Sequence, residues 1–169
     1  TGLEVDRRTR FDEVGAQLFG AVRVGSAPAD QHQVPDAVLD ELSRRISPRV
    51  LDAPGRLDPV VRQLDEYFAG TRTHFDVPLD LRLADGFRRE VITRLPEIEY
   101  GRTASYAEIA AAAGSPRAVR AVGTACATNP VPLVVPCHRV VRADGGLGGY
   151  RGGAEAKALL LRLELEHAA

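Results

Sequence analysis

The chain has 169 residues, of which 44% are hydrophobic and 27% charged, and its formal net charge is −1. This composition indicates a soluble globular protein, long enough for one typical domain or two small ones. No run of 18 apolar residues and no basic start followed by an apolar stretch is present, so neither a membrane span nor a secretory signal is expected.

The charges are unevenly distributed between the two halves of the chain. Residues 1–80 carry 10 Lys and Arg against 14 Asp and Glu, whereas residues 81–169 carry 12 against 9. The basic excess mildly favours a polyanion as the partner of the second half. The only cysteines, Cys126 and Cys137, cannot build a disulfide scaffold, which favours a reduced, cytoplasmic compartment. Neither cysteine has metal-ligand spacing, so no metal site is expected.

The first half of the chain predicts a small α/β domain. A short strand is predicted over residues 20–25, and helical spacing of apolar residues predicts helices over 35–47 and 58–68. Residues 74–82 alternate between apolar and polar around an internal proline, which predicts an edge strand or an extended linker. A domain boundary is therefore placed near residue 80.

The second half predicts a mainly helical domain, residues 81–169. An apolar face predicts a helix over 87–95, and a short alanine-rich helix follows over 107–113. Gly114 ends that helix, while Ser115 and Pro116 are suited to cap and begin the next one, over 117–128. Helix, glycine turn and arginine-bearing helix together predict a helix-turn-helix.

A glycine-rich loop over 145–153 and a leucine-rich closing helix over 154–167 complete the chain. The predicted fold class is α/β: a small N-terminal α/β domain of residues 1–80 and a mainly helical C-terminal domain containing a helix-turn-helix.

The most informative segment is an apolar, proline-punctuated run that delivers a cysteine and a histidine side by side. It begins at Asn129-Pro130 and ends in Pro136-Cys137-His138-Arg-Val. A cysteine becomes a nucleophile when its proton is removed, and an adjacent histidine can remove it. A Cys-His pair can also be a buried cysteine beside a surface histidine.

A histidine that acts as a base needs an acceptor to hold its tautomer, and the closing helix offers one. Lys157, Leu160, Leu161 and Glu164 share a helical face by their spacing. Because buried carboxylates are rare unless paired, a glutamate on this leucine-lined face is either solvated at its edge or buried with a partner.

The segment from Asn129 to Val140 closely resembles the O6-alkylguanine-DNA alkyltransferase family, and the resemblance extends from about Phe87 to Glu164. Gly149-Tyr-Arg151 with Gly153 is similar to its bacterial branch. The resemblance implies a ribonuclease H-like N-terminal domain and a C-terminal DNA-binding, alkyl-accepting domain.

The implied reaction is a single, irreversible transfer of the alkyl group from guanine O6 to Cys137, which defines a methylated-DNA–protein-cysteine methyltransferase. Glu164 is implied to orient His138, which acts through a water to leave Cys137 as a thiolate. Tyr106, of the pair Ser105-Tyr106, is implied to donate a hydrogen bond to the purine; the alternative is a core tyrosine at a helix start. No cofactor is expected, because the substrate carries its own electrophile.

The implied partner is double-stranded DNA containing O6-alkylguanine, bound by a monomer in the bacterial cytoplasm and at the nucleoid. Arg120 is implied to enter the base stack from the minor groove and hold the lesion outside the helix. Arg117 is expected to contact phosphate, and Asn129 is implied to lock the turn between the recognition helix and the cysteine strand. Backbone N–H groups near Val140 and Arg151 are implied to bind O6.

Further lesion or DNA contacts are expected at Ser105, Pro132 and Lys157. Lys157 either tunes the site electrostatically or is a surface lysine. Glu166 is expected to be solvated, and Cys126 is interpreted as a small buried hydrophobe.

Three other functions compete with repair. The protein could recognise alkylguanine without repairing it, act as a cysteine hydrolase through Cys137, His138 and Glu164, or regulate transcription through the helix-turn-helix alone.

Overall fold

The computed structural model describes Asp40, residues 43–47 and residues 54–168, and all structural statements below concern this part of the chain. The predicted strand over 20–25 and most of the predicted helix over 35–47 lie outside it; residues 43–45 are helical. The chain divides into two compact units between Arg72 and Thr73. The predicted domains, residues 1–80 and 81–169, stay a prediction.

In the first unit, helix α1 spans Asp58–Phe68 and confirms the predicted bounds. Pro59 lies in its first turn, where a missing N–H costs nothing, and the helix buries Leu64 and Tyr67. Gly70, at a φ of 73°, follows the helix end.

The segment 74–82 contains no strand. The edge-strand alternative is therefore wrong, and the extended linker stays a prediction. Pro78 lacks the N–H that a neighbouring strand would need as a donor. At the end of the segment, the side chain of Arg82 donates to the carboxylate of Asp80.

Helix α2 spans Gly86–Arg94 and continues into a 3-10 turn, Leu95–Glu97. The predicted helix is confirmed, and Pro96 lies within the turn that ends it. Val91, Ile92 and Leu95 enter the core of the second unit.

Strand β1, Ala104–Ser105, leads into helix α3, Tyr106–Ala112, and helix α4 spans Val119–Ala127. The predicted order of helix, turn and helix is confirmed. Ser105 caps α3 reciprocally with Glu108, each side chain bonding the other's backbone N–H.

The predicted start of α4 is wrong. Ala118 donates to the carbonyl of Ser115 at 2.8 Å, so residues 115–118 form a β-turn with Pro116 at its second position. Ser115 does not cap α4, and Arg117 lies in the turn before the helix.

After α4, the proline-rich segment leads to a 3-10 turn, Cys137–Arg139, and to strand β2, Val140–Val141. The expectation that Cys137 lies on a strand is wrong, because the cysteine begins the 3-10 turn. β1 and β2 pair in parallel, with Ala104 opposite Val140 and Ser105 opposite Val141.

Helix α5, Gly153–His167, confirms the predicted closing helix. Its buried face includes Lys157, Leu160 and Glu164 as predicted, whereas Leu161 is partly exposed. None of the helices in the described part of the chain is long and apolar enough to cross a membrane.

Candidate active site

The segment before Cys137 is held by the amide of the buried Asn129. Its Nδ2 donates to the carbonyl of Val135 at 2.9 Å and to Cys137 Sγ at 3.1 Å, and its Oδ1 accepts from the N–H of Val131 at 3.0 Å. Leu133 has a φ of 75°, a conformation that costs about 1–3 kcal/mol for a residue other than glycine. The surrounding contacts therefore fix this segment, and with it the position of the thiol.

The Cys137 thiol is 2% exposed. Burial raises its pKa, and the hydrogen bond from Asn129 and the charge of Lys157 only partly oppose that effect. A raised pKa favours the protonated thiol in the free protein. The thiolate stays a prediction for the reacting state.

His138 follows the thiol and is completely buried. Its Nε2 lies 2.8 Å from Glu164 Oε1. Because a carboxylate only accepts, Nε2 carries the ring proton and Nδ1 has the lone pair that can take a proton. Burial lowers the pKa of His138 despite the opposing effect of Glu164, which favours the neutral ring.

Glu164 is completely buried. Besides His138, two other residues donate hydrogen bonds to its carboxylate. Arg139 donates from Nε to Oε2 at 2.9 Å and from Nη2 to Oε1 at 3.0 Å, and the N–H of Gly101 donates to Oε2 at 3.1 Å. Burial alone would raise the pKa of Glu164, but the hydrogen bonds from His138 and Arg139 outweigh it and bring the pKa to about 2. The carboxylate is therefore ionised at neutral pH.

Arg139 was given no role from the sequence, although a buried carboxylate requires a compensating cation. The guanidinium also donates to the carbonyl of Ile98 at 2.6 Å and lies 5.7 Å from the ring centroid of Tyr100. In the sequence, its position beside His138 in the same motif was the signal that could have identified Arg139 as this cation.

Lys157 is completely buried, which excludes the surface-lysine alternative. Its Nζ donates to the carbonyl of Val140 at 2.5 Å and lies 5.9 Å from the ring centroid of Tyr106. The ammonium group favours the ionised form of Cys137. The N–H of Val140 donates to the carbonyl of Cys137, so in this conformation that group is already used within the turn.

Tyr106 is the first residue of α3, and its hydroxyl lies 3.4 Å from the carbonyl of Gly149 in the glycine-rich loop. Burial raises its pKa, so the hydroxyl remains a donor. Tyr150, another residue without a predicted role, lies in the same loop with its ring edge-on to His138, at 6.3 Å between centroids.

Gly148 permits the close approach of the loop to Tyr106. Its φ is +68°, and a Cβ at this position would lie 2.6 Å from the Tyr106 hydroxyl. We expect Gly148→Ala to lower the free energy of unfolding by about 1–2 kcal/mol, through the left-handed backbone alone. We also expect it to slow the reaction of Cys137 by displacing Tyr106.

Gly149→Ala is the matched control, since a Cβ there meets nothing within 4 Å. Urea unfolding and labelling of Cys137 measure the two effects, and equal behaviour of the two variants would contradict this account.

The two arginines predicted to contact DNA through their side chains are on the surface: Arg120 is exposed on α4, and Arg117 is exposed in the turn before it. Arg151, near which a backbone N–H is predicted to bind O6, is exposed in the turn before α5. The structure thus brings Cys137, His138 and Glu164 together in the interior and leaves these cations facing solvent. Pro132 is buried in the proline-rich segment, and its predicted contact stays a prediction.

Two smaller expectations agree with the structure. Cys126 is buried on α4, and burial raises its pKa to about 12, as suits an inert thiol. Glu166 is exposed and lies 3.9 Å from Arg162.

Comparison with known proteins decides the family. Residues 86–166 match the 6-O-methylguanine DNA methyltransferase DNA binding domain, and residues 31–81 match the ribonuclease-like domain of the same proteins. A methylated-DNA–protein-cysteine methyltransferase of Bacillus subtilis, described as inducible, is 41% identical over 153 residues, which are 89% of this chain and 82% of the relative. The chain belongs to the 6-O-methylguanine DNA methyltransferase family.

Other members of this methyltransferase family are similar in sequence and structure. The Mycobacterium tuberculosis methylated-DNA–protein-cysteine methyltransferase is 51% identical over 115 residues, 68% of this chain and 69% of the relative. A crystal structure of Mycobacterium tuberculosis OGT in complex with DNA is 50% identical, with a TM-score of 0.63 over 64% of this chain and 67% of that chain. The predicted α/β fold class and DNA as a partner are thereby confirmed.

Proposed function

We propose that this protein repairs O6-alkylguanine in double-stranded DNA by transferring the alkyl group to its own Cys137. The observation that carries the proposal is a buried thiol within a DNA-binding domain, followed by a histidine that an ionised glutamate holds. His138 lies 2.8 Å from Glu164, so its Nε2–H is fixed and Nδ1 is the basic nitrogen.

In the proposed step, Cys137 Sγ forms a bond with the alkyl carbon, and the bond between that carbon and O6 breaks with its electron pair moving onto the guanine. The thiol proton passes to His138 and by way of solvent to the guanine, which leaves as the neutral base. Glu164 stabilises the transient imidazolium, and Lys157 stabilises the developing thiolate. The product is a thioether, so each molecule reacts once.

The lesion has to leave the base stack to reach this site, because Cys137 is buried and a guanine O6 substituent lies within the duplex. In the proposed complex, α4 carries Arg120 into the stack while Arg117 contacts phosphate. Tyr106 donates to the purine, and N–H groups of the loop near Arg151 bind O6. Asn129 keeps the thiol in line, and the protein acts as a monomer in the cytoplasm.

Incubation with an excess of duplex carrying O6-methylguanine tests the proposal, followed by intact-mass and peptide mass spectrometry. We expect one methyl group per protein molecule, on the peptide containing Cys137, and no further turnover. Lesion binding without a gain in mass would support a sensor, and repeated turnover on an ester or amide would support a hydrolase. Sequence-selective binding of undamaged DNA would support a transcription regulator. Any of these three results, without methylation of Cys137, would refute the proposal.

A further inference from the structure

The two-stranded sheet places an arginine without a predicted role beside Tyr106. Ser105 on β1 lies opposite Val141 on β2 in a parallel register. The next residues, Tyr106 and Arg142, therefore follow the two strands at the same end of the sheet. Neighbouring parallel strands lie about 4.8 Å apart, so the residues that directly follow the paired positions are close together. The charge of Arg142 accordingly reaches Tyr106, where it opposes the larger, raising effect of burial on the tyrosine pKa.

A tight turn fixes the backbone of Arg142. Its N–H donates to the carbonyl of Gly146 at 2.8 Å, and its own carbonyl accepts from the N–H of Gly145 at 3.0 Å. Asp144 Oδ1 accepts from the N–H of Gly146 at 2.9 Å, which directs this carboxylate oxygen into the turn.

The side chain of Arg142 lies along Gly146, because its Cδ is only 3.3 Å from the place where a Cβ of residue 146 would stand. The residue as a whole is exposed. The turn therefore fixes the backbone of an exposed arginine near the tyrosine at which the flipped base is proposed to bind.

We propose that Arg142 binds a backbone phosphate of the lesion-bearing strand beside the flipped nucleotide. This inference rests on the proposed function. When a base turns inward past Tyr106, its sugar and phosphate remain outside the pocket, where Arg142 stands. The guanidinium group matches two phosphate oxygens at once, which suits it to hold the strand in this position.

The test compares Arg142→Gln with Arg162→Gln, a control at an exposed arginine on α5. Two substrates are used: duplex DNA with O6-methylguanine, and free O6-benzylguanine, which has no phosphate. We expect Arg142→Gln to slow transfer from the duplex about tenfold at low salt and to reduce the salt dependence of binding by about one phosphate contact. Transfer from the free base should equal that of the wild type, and Arg162→Gln should be unchanged with both substrates.

Equal slowing with duplex and free base would overturn the inference, because Arg142 would then act on Tyr106 or the pocket. Wild-type rates with both substrates would overturn it as well. In either case the wild-type protein would still methylate itself, so the proposed function would stand. A wild-type protein that reacts with neither substrate would refute the proposed function itself.

Discussion

Replacing Cys137 by alanine is expected to abolish alkyl transfer while leaving affinity for lesion-containing duplex DNA close to that of the wild type. The sulfur of Cys137 is the proposed acceptor, so its removal leaves the alkyl group without one. The proposed contacts with the duplex backbone and base stack, by contrast, come from the exposed residues Arg117, Arg120 and Arg142. Transfer is measured with a labelled methyl group, and affinity by equilibrium binding at fixed salt concentration.

Cys126→Ala is the matched control for this experiment, because Cys126 is also a buried free thiol of the second unit. Its removal should leave one methyl group accepted per molecule. Residual labelling of Cys137→Ala, or loss of labelling in a folded Cys126→Ala protein, would show that the acceptor has been assigned to the wrong sulfur.

Glu164→Gln is expected to have the second large effect, on stability as well as on reactivity. The amide keeps the size of the side chain but leaves the buried Arg139 without its counter-ion. Breaking a buried pair in this way costs about 3–5 kcal/mol. It also removes the charge that stabilises an imidazolium at His138, so alkyl transfer should slow in whatever fraction remains folded.

Urea unfolding at neutral pH measures the loss of stability, with Glu166→Gln as the control. Glu166 is exposed and 3.9 Å from Arg162, so its replacement should change the free energy of unfolding by no more than about 0.5 kcal/mol. A Glu164→Gln protein as stable as the control would contradict the buried ion pair.

The same carboxylate predicts the acid sensitivity of the fold. Its pKa is about 2 in the folded protein against an ordinary value of 4.5, so its contribution to stability is complete above pH 4.5 and is lost as the pH falls toward 2. His138 acts in the same direction at higher pH, because its lowered pKa lets the unfolded chain bind a proton first. Urea midpoints measured from pH 7 to pH 2 should decline throughout, and a flat profile between pH 4.5 and 2 would be inconsistent with the pairing.

The helices could be predicted because each buries a face with regular spacing. The spacing of apolar residues and the following glycine predicted the bounds of α1. The leucines of α5 were enough to predict that helix. The start of α4 was misplaced because Pro116 suits both the first turn of a helix and the second position of a β-turn. The hydrogen bond from Ala118 to Ser115 selects the β-turn.

The pairing of β1 with β2 was beyond prediction, since each strand has two residues and no alternating pattern. Within the site, Cys137, His138 and Glu164 could be named from a motif and a helical face. Arg142 could not, because its importance depends on which side chains the fold brings near it, and for Arg139 the motif offered only its position beside His138. The protonation of Cys137 depends on burial, which the motif alone does not report.

Helix α5 supplies two of the charged groups around the Cys-His pair, Lys157 and Glu164, which lie two turns apart, about 10 Å along the helix axis. A chain still being synthesised, which has not yet produced α5, therefore has Cys137 and His138 without the ammonium group or the carboxylate. In a molecule that can react only once, the ability to accept an alkyl group would then arise together with the folding of α5. Chains still being synthesised would not lose their Cys137 to alkylation.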